Sequence, residues 1–331
     1  ALSIEQKKIL WHFQETSHDI WNHDIPSPPM LTQIKKDSEM LDVVVVPTKR
    51  ANTLILDRVT GEPIYDYIKR KVPTSTIPGE RTSSYQVDFI LPEPFGRNVF
   101  KLDDIWSYDK DEALRLTKKY SSYKFGFYEP HHINKKGLQY NFHGGAEWPG
   151  GSVDSKKGIM YITSNNILVE SELIKINEDK SQLIPKYKSK FKFAKDKYGY
   201  PAIKPPWGTL TALNLNNGKI IWQVPFGEYN ELTKKGIPIT GTENIGGATA
   251  TNGNIIIATG TLDKKIYIFD SKNGEILFSK ELPFIGSAPP TTYIANDDQY
   301  IIVHSTGGRV LKDNYSNLVD TGNALVAFKL K

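Results

Sequence analysis

Residues 246–282 read GGATATNGNIIIATGTLDKKIYIFDSKNGEILFSKEL. Asn, Gly and Asp divide this stretch into four short runs, GGATAT, NIIIATGTLD, KKIYIFDS and GEILFSKEL, in which β-branched and aromatic residues dominate. Such residues suit a pleated, half-buried surface, and the polar interruptions supply turns, so the stretch predicts four consecutive antiparallel strands. Four short strands in a unit of this length match the size and strand count of one β-propeller blade.

Working outward, the centre of that unit recurs. ALSIEQKKILWHFQ (1–14), LILDRVTGEPIYDY (54–67), LTALNLNNGKIIWQV (210–224) and IYIFDSKNGEILFSK (266–280) each run from an aliphatic strand through a polar turn into a strand carrying an aromatic residue. Aligned on the turn, Lys7, Gly61, Gly218 and Gly274 are separated by 54, 157 and 56 residues. Two Pro- and Lys-rich stretches, 70–138 and 166–206, account for the long interval as insertions within one partial propeller domain spanning 1–331. Helix-period stripes are scarce, so the expected class is all-β, with a two-sheet sandwich as the competing architecture.

On this reading residues 1–14 hold the last strand or two of one blade, and 22–69, 139–224, 246–282 and 287–331 form four more, the last ending after a third strand in NALVAFKLK. An incomplete ring leaves strand edges unpaired, so a partner is expected. Earlier blades outside this chain are the simplest completion. Residues 8–14 completing the last blade within one chain, or across a dimer with a second copy, are the alternatives.

Composition excludes several functions. The net charge of +5 arises from 42 Lys and Arg scattered among 37 Asp and Glu, without the clustered basic patch that nucleic acid requires. There is no Cys, hence no disulfide, thiolate metal site or cysteine nucleophile. No run approaches the ~18 apolar residues of a membrane span.

Several tracts, in order along almost the whole chain, resemble the pyrroloquinoline-quinone (PQQ) dehydrogenases. They are WHFQETSHDIWNHDIPSPP (11–29), VVPTKRANTLILDRVTGEPIY (45–65), VPTSTIPGERTSSYQ (72–86), GGAEWPGGSVDSKKGIMYITSNN (144–166), PPWGTLTALNLNNGKIIWQVPFGEY (205–229) and GTENIGGATATNGNIIIATGT (241–261). The PTK and GTENIGG wording is closer to the membrane glucose/quinate type than to methanol dehydrogenases. The resemblance implies the C-terminal part of an eight-bladed quinoprotein propeller. It implies PQQ on the ring axis oxidising an alcohol, polyol or aldose, a Ca²⁺ or other divalent cation polarising the quinone carbonyl, and a quinone-type electron acceptor. It also implies a periplasmic location, with membrane association through a segment this chain does not contain.

The resemblance carries over residue by residue. The family's catalytic Asp follows Trp in H-D-x-W-D, and here that position is Asn22. An amide can orient a hydroxyl or bind a cation but accepts no proton near neutral pH, so either activity is lost or another base acts. Asp19 and Asp24 are the nearest carboxylates in sequence, and in an extended stretch Asp24 would share a face with Asn22. Both Asn22 and Asp24 are candidate metal ligands. Lys49 matches the family's cation beside the quinone oxygens. Asn141, Glu147 and Trp148 lie in the tract that contacts PQQ, as do Asn244 and Gly246 in the tract that meets a cofactor carboxylate.

Ordinary structural roles compete with each assignment. His18 and Asp19 can satisfy backbone groups at a strand end, and Trp21, Trp148 and Trp222 can be core aromatics. Lys49 can be solvated charge, and Asn244 and Gly246 turn residues. The His131–His132 pair with His143 lacks a standard ligand spacing. DDIWSYDKDEALRLTKKY (103–120) reads as a short surface helix with acids early and bases late. A non-catalytic scaffold propeller or an inactive fragment is the competing function.

Overall fold

The computed structural model describes residues 1–176, 187–315 and 319–329. The chain is 41% strand and 7% helix. Four sheets follow one another as blades. Blade I is Met30–Lys36, Glu39–Pro47 and Thr53–Asp57; blade II is Gly151–Asp154, Ile159–Asn165, Gly208–Asn214 and Lys219–Pro225. Blade III is Ala248–Ala250, Ile255–Thr259, Lys265–Asp270 and Ile276–Glu281, and blade IV is Thr291–Ala295, Asp298–Ser305 and Ala324–Lys329. All pairings within the blades are antiparallel.

Blade I departs from the expected four strands. Its fourth is a single bridge between Leu56 and Pro63, because proline offers no N–H to continue a ladder. The chain instead runs into a ribbon of Tyr67–Lys71 and Tyr85–Phe89, whose Val87 and Phe89 pack on Leu54 and Leu56.

The two-residue period of the strands decides how the blades stack. In blade II, Met160 and Ile162 face Val43, Val45 and Ile55 of blade I, while Tyr161, between them, faces Ile256, Ala258 and Phe269 of blade III. In blade III, Ile257 and Ile266 turn the other way, onto Ile301 and Val303 of blade IV. Sheets packed face to face in series, with blades II and III covered on both faces, form a propeller arc and not a two-sheet sandwich. Each fully buried aliphatic side chain contributes ~1.5–3 kcal/mol to that stacking.

The recurring turn has one construction. Asp57, Asn214 and Asp270 each accept at their carbonyl oxygen the N–H of a glycine four residues on, Gly61, Gly218 and Gly274, at 2.9, 2.8 and 2.9 Å. These glycines hold φ of 77°, 73° and 75°, a left-handed conformation that carries no steric cost without a Cβ. Trp222 covers Gly274, and Trp11 covers Gly61 in the same way. Trp11 therefore occupies, on blade I, the place that an outer-strand residue of blade II occupies on blade III.

That commitment overturns one expected closure. Residues 8–14 lie against blade I, with Trp11 Nε1 donating to Arg58 O at 3.2 Å, and Ala324–Lys329 pairs with Asp298–Ser305 alone among the described residues. Among the described residues the chain closes no four-bladed ring on itself.

A third layer lies between blades I and II in sequence. Lys136–Tyr140, Leu168–Lys175 and Tyr187–Phe193 form a three-stranded sheet outside the blades. The helix Lys110–Tyr120, capped by Asp109 on Asp111 and Glu112 N–H, buries Leu116 and Tyr120 in the same cluster as Leu138, Leu168 and Val169. It is thus a half-buried helix, docked through the face that carries those side chains.

Candidate functional site

The site is built where the inner ends of the blades meet. Blades II, III and IV are each entered through an isolated antiparallel bridge, Gly145 to Asn165, Asn244 to Thr261 and Gly286 to Ser305. Gly145 at φ 63° packs its backbone on blade I so closely that a Cβ would lie 2.0 Å from Lys49 O. Ala146 N–H donates to Thr48 O at 3.1 Å. Asn165 then clasps blade II to blade III: its Oδ1 accepts the Asn244 N–H at 2.8 Å and Asn244 Nδ2 at 2.9 Å, and its Nδ2 donates to Asn244 O at 2.9 Å. Residues 48–49, 145–147, 165 and 243–244 are thereby drawn to one place.

Lys49 is buried, 7% exposed, and its Nζ donates to Asp24 Oδ1 at 2.7 Å. Asp24 itself is exposed. The tract around it is a turn, contrary to the extended stretch expected. Asp19 accepts the N–H groups of Trp21 at 2.8 Å and His23 at 2.7 Å, and Asn22 sits at φ 66°. A side chain that saturates local backbone donors competes with strand formation. Asn22 donates Nδ2 to Phe142 O at 3.3 Å, which places it against the 141–143 segment. His18 is exposed and meets Glu80 at 3.4 Å. Trp21 is a core residue whose Nε1 donates to Glu129 O at 2.9 Å.

Asn141, at 1% exposure, has an Oδ1 without a hydrogen-bond partner. Glu147 is half-buried, and desolvation pushes its carboxyl up to about 7 although Lys49 pulls it down; Asp24 raises it further. Trp148, next to it, is 79% exposed and belongs to no core. The side-chain amide and backbone groups of Asn244 are spent on the clasp and on Ser164 O at 3.0 Å. Gly246 is a packing glycine, since a Cβ there would lie 2.4 Å from Thr259 O. His132 pairs with Glu129 at 2.8 Å and His131 contacts Ser171 at 3.3 Å, away from His143, whose ring packs on Phe142 and Phe193.

The reading of the sequence missed Glu243. It is 3% exposed, its Oε2 has no partner, and burial together with the charge of Glu147 pushes it up to about 8 against the opposing pull of Lys195. Tyr229 and Tyr315 are buried beside it, their hydroxyls facing one another and Glu243. Its one available signal was adjacency to Asn244 in GTENIGG.

This cluster fits a quinone cofactor rich in anionic oxygens. A buried cation, Lys49, whose one ionic partner is the exposed Asp24, can meet an anionic oxygen, and the unpartnered Asn141 Oδ1, an acceptor, can take an N–H or O–H of a ligand. A divalent cation does not fit this chain alone. Asn22 and Asp24 supply one amide and one carboxylate, Asp24 already neutralised by Lys49, against the ~6–8 oxygens calcium takes. Among the described residues no group of three or more His, Cys, Asp or Glu is placed to hold a metal.

Comparison with known proteins agrees with the geometry. Residues 1–301 match the family profile described as PQQ: glucose/ethanol/alcohol dehydrogenase, β-propeller domain. The chain is 26% identical to the quinate/shikimate dehydrogenase (quinone) of Acinetobacter baylyi, covering 100% of this chain and 43% of that protein. It is 28% identical to the glycerol dehydrogenase large subunit of Gluconobacter oxydans, covering 93% and 46%. In fold it is similar to a europium-containing methanol dehydrogenase, with a TM-score of 0.63 at 15% identity over 96% of this chain and 50% of that one. The chain thus spans less than half the length of these curated relatives. Face-stacked blades, inner ends converging on Lys49, and a profile match over residues 1–301 lead to one conclusion: the chain belongs to the PQQ glucose/ethanol/alcohol dehydrogenase β-propeller family.

Proposed function

We propose that this chain forms one side of the axial site of a PQQ-dependent dehydrogenase that oxidises an alcohol, polyol or aldose and passes electrons to a quinone-type acceptor. The observation that carries the reading is Lys49, a buried ammonium at the inner end of blade I with a single exposed carboxylate as its partner. When bound, PQQ supplies the two-electron acceptor. Lys49 and the Asn141 amide would hold it. A fixed cation there stabilises negative charge on oxygen without reorganising, because its position is set by the packing of Gly145 on the Lys49 backbone. Asn22 orients a hydroxyl but takes no proton. The remaining wall of the site, any divalent cation ligands and the rest of the ring come from blades outside this chain or from a second copy. A periplasmic location, membrane-associated through another segment, belongs to the same proposal; no described helix is long and apolar enough to cross a membrane.

The test is reconstitution of the full-length protein with PQQ and Ca²⁺, followed by dye reduction with glycerol, D-glucose and quinate. Turnover with any of them supports the reading, and PQQ binding without turnover across a wider polyol screen defeats it. Asn22 favours a second reading, a non-catalytic scaffold propeller. That reading requires that PQQ does not bind and that Asn22→Asp yields no rate.

A further inference from the structure

We propose that Glu147, backed by Glu243, is the acceptor of the substrate hydroxyl proton, filling the role that Asn22 cannot. The inference rests on the dehydrogenase reading above and assigns its base. The other carboxylates near Lys49 are committed. Asp24 is held at 2.7 Å by the Lys49 ammonium, and Asp19 spends its two oxygens on the Trp21 and His23 N–H groups. Glu15 accepts the Thr48 hydroxyl at 2.9 Å and lies within reach of the Arg50 charge.

Glu147 and Glu243 flank the entries to adjacent blades, on opposite sides of the bridging residue. One follows the Gly145–Asn165 bridge at the entry to blade II, and the other precedes the Asn244–Thr261 bridge at the entry to blade III. The Asn165 clasp holds these two entries together. Lys49 and Asp24 are the charges that bear on Glu147. Glu147, Lys195 and the hydroxyls of Tyr229 and Tyr315 bear on Glu243. The charge of Glu147 raises the proton affinity of Glu243, and a base is most effective when its proton affinity lies near the working pH. Burial brings Glu147 to about 7, in that range.

In the step, the carbinol C–H leaves with its electron pair to the quinone oxidant and the C=O double bond forms. The O–H proton passes to the ionised carboxylate of Glu147. Glu147 then releases the proton to water.

The experiment uses full-length protein loaded with PQQ, with cofactor reduction followed in a single turnover by whichever of glycerol, D-glucose or quinate reduces the dye. Expected is a rate that rises through one ionisation near neutral pH. Glu147→Gln slows it ~100-fold or more with PQQ affinity changed less than about threefold, and Glu147→Asp recovers part of the loss. Carboxyl infrared titration of the same protein shows two protonation steps above the ordinary glutamate range, of which Glu243→Gln leaves one. The assignment is overturned if Glu147→Gln keeps the rate within about threefold, or if Asp24→Asn abolishes it while Glu147→Gln does not. Titration of both glutamates in the ordinary range, in protein that turns over, defeats the base assignment alone. Absence of turnover in PQQ-loaded wild type defeats the dehydrogenase reading and the base with it.

Discussion

The indole of Trp222 occupies the space that a Cβ on Gly274 would need, its nearest ring carbon 2.8 Å from that point, and its Nε1 donates to Ser271 O at 3.0 Å. Trp11 repeats the arrangement on Gly61, with ring carbons at 2.5 Å from the corresponding point. Trp222 of blade II thus rests on the turn glycine of blade III, joining the two at their outer edge as the aliphatic clusters join their faces, and Trp11 covers the turn glycine of blade I.

Gly274→Ala is predicted to lower stability by ~1–3 kcal/mol, combining left-handed strain at φ 75° with a clash against Trp222. The urea midpoint measures it. An unchanged midpoint would mean that the indole is not held on the turn.

Asn165→Ala is predicted to cost about 3 kcal/mol or more, because it leaves the Asn244 N–H, its Nδ2 and its carbonyl without their buried partner. Equilibrium unfolding measures the loss. Slower amide exchange at Thr259–Thr261 in the wild type than in the variant would locate the damage at the entry to blade III.

Lys49→Met is predicted to weaken PQQ binding ~10–100-fold, the value of one charge-assisted contact. Stability is expected to change by less than ~1 kcal/mol, since Asp24, the one ionic partner of Lys49, is 58% exposed at its side chain. Cofactor titration and thermal melts on the same variant separate the two effects.

Glu147 and Glu243 both hold their protons more tightly folded than unfolded. For such groups the folded protein binds more protons than the unfolded chain, so their stabilising contribution is complete below the ordinary glutamate value of 4.5. It is lost as pH rises through about 7 and about 8. His23 acts oppositely: burial and the charges of Arg50 and Lys49 lower it well below 6.5, so its contribution is present above 6.5 and lost as the pH falls. The Glu243→Gln variant should flatten the fall in stability between pH 5 and 8, measured as urea midpoint against pH.

The reading of the strands rested on local physics. A turn with Asp or Asn four residues before Gly, flanked by alternating β-branched residues, carries its own hydrogen bonds and φ preference, so GGATAT to GEILFSKEL was legible as one blade from its own residues. Lys49 was a candidate because its tract resembles a known family. Other features depend on contacts between distant parts of the chain. Asp24 meets Lys49 across 25 residues, and the 18–24 tract bends because the Asp19 carboxylate outcompetes extended pairing. Pro63 cut the fourth strand of blade I to one bridge, and Trp148 stands in solvent instead of in a core.

By itself the sequence determined the repeating blade and its turns, because these follow from backbone preference and local turn chemistry. Only the tertiary structure decided that the charge of Glu147 bears on Glu243, 96 residues away. Their proton affinities come from desolvation and from neighbours supplied by adjacent blades. Neither exists until the faces of those blades are packed.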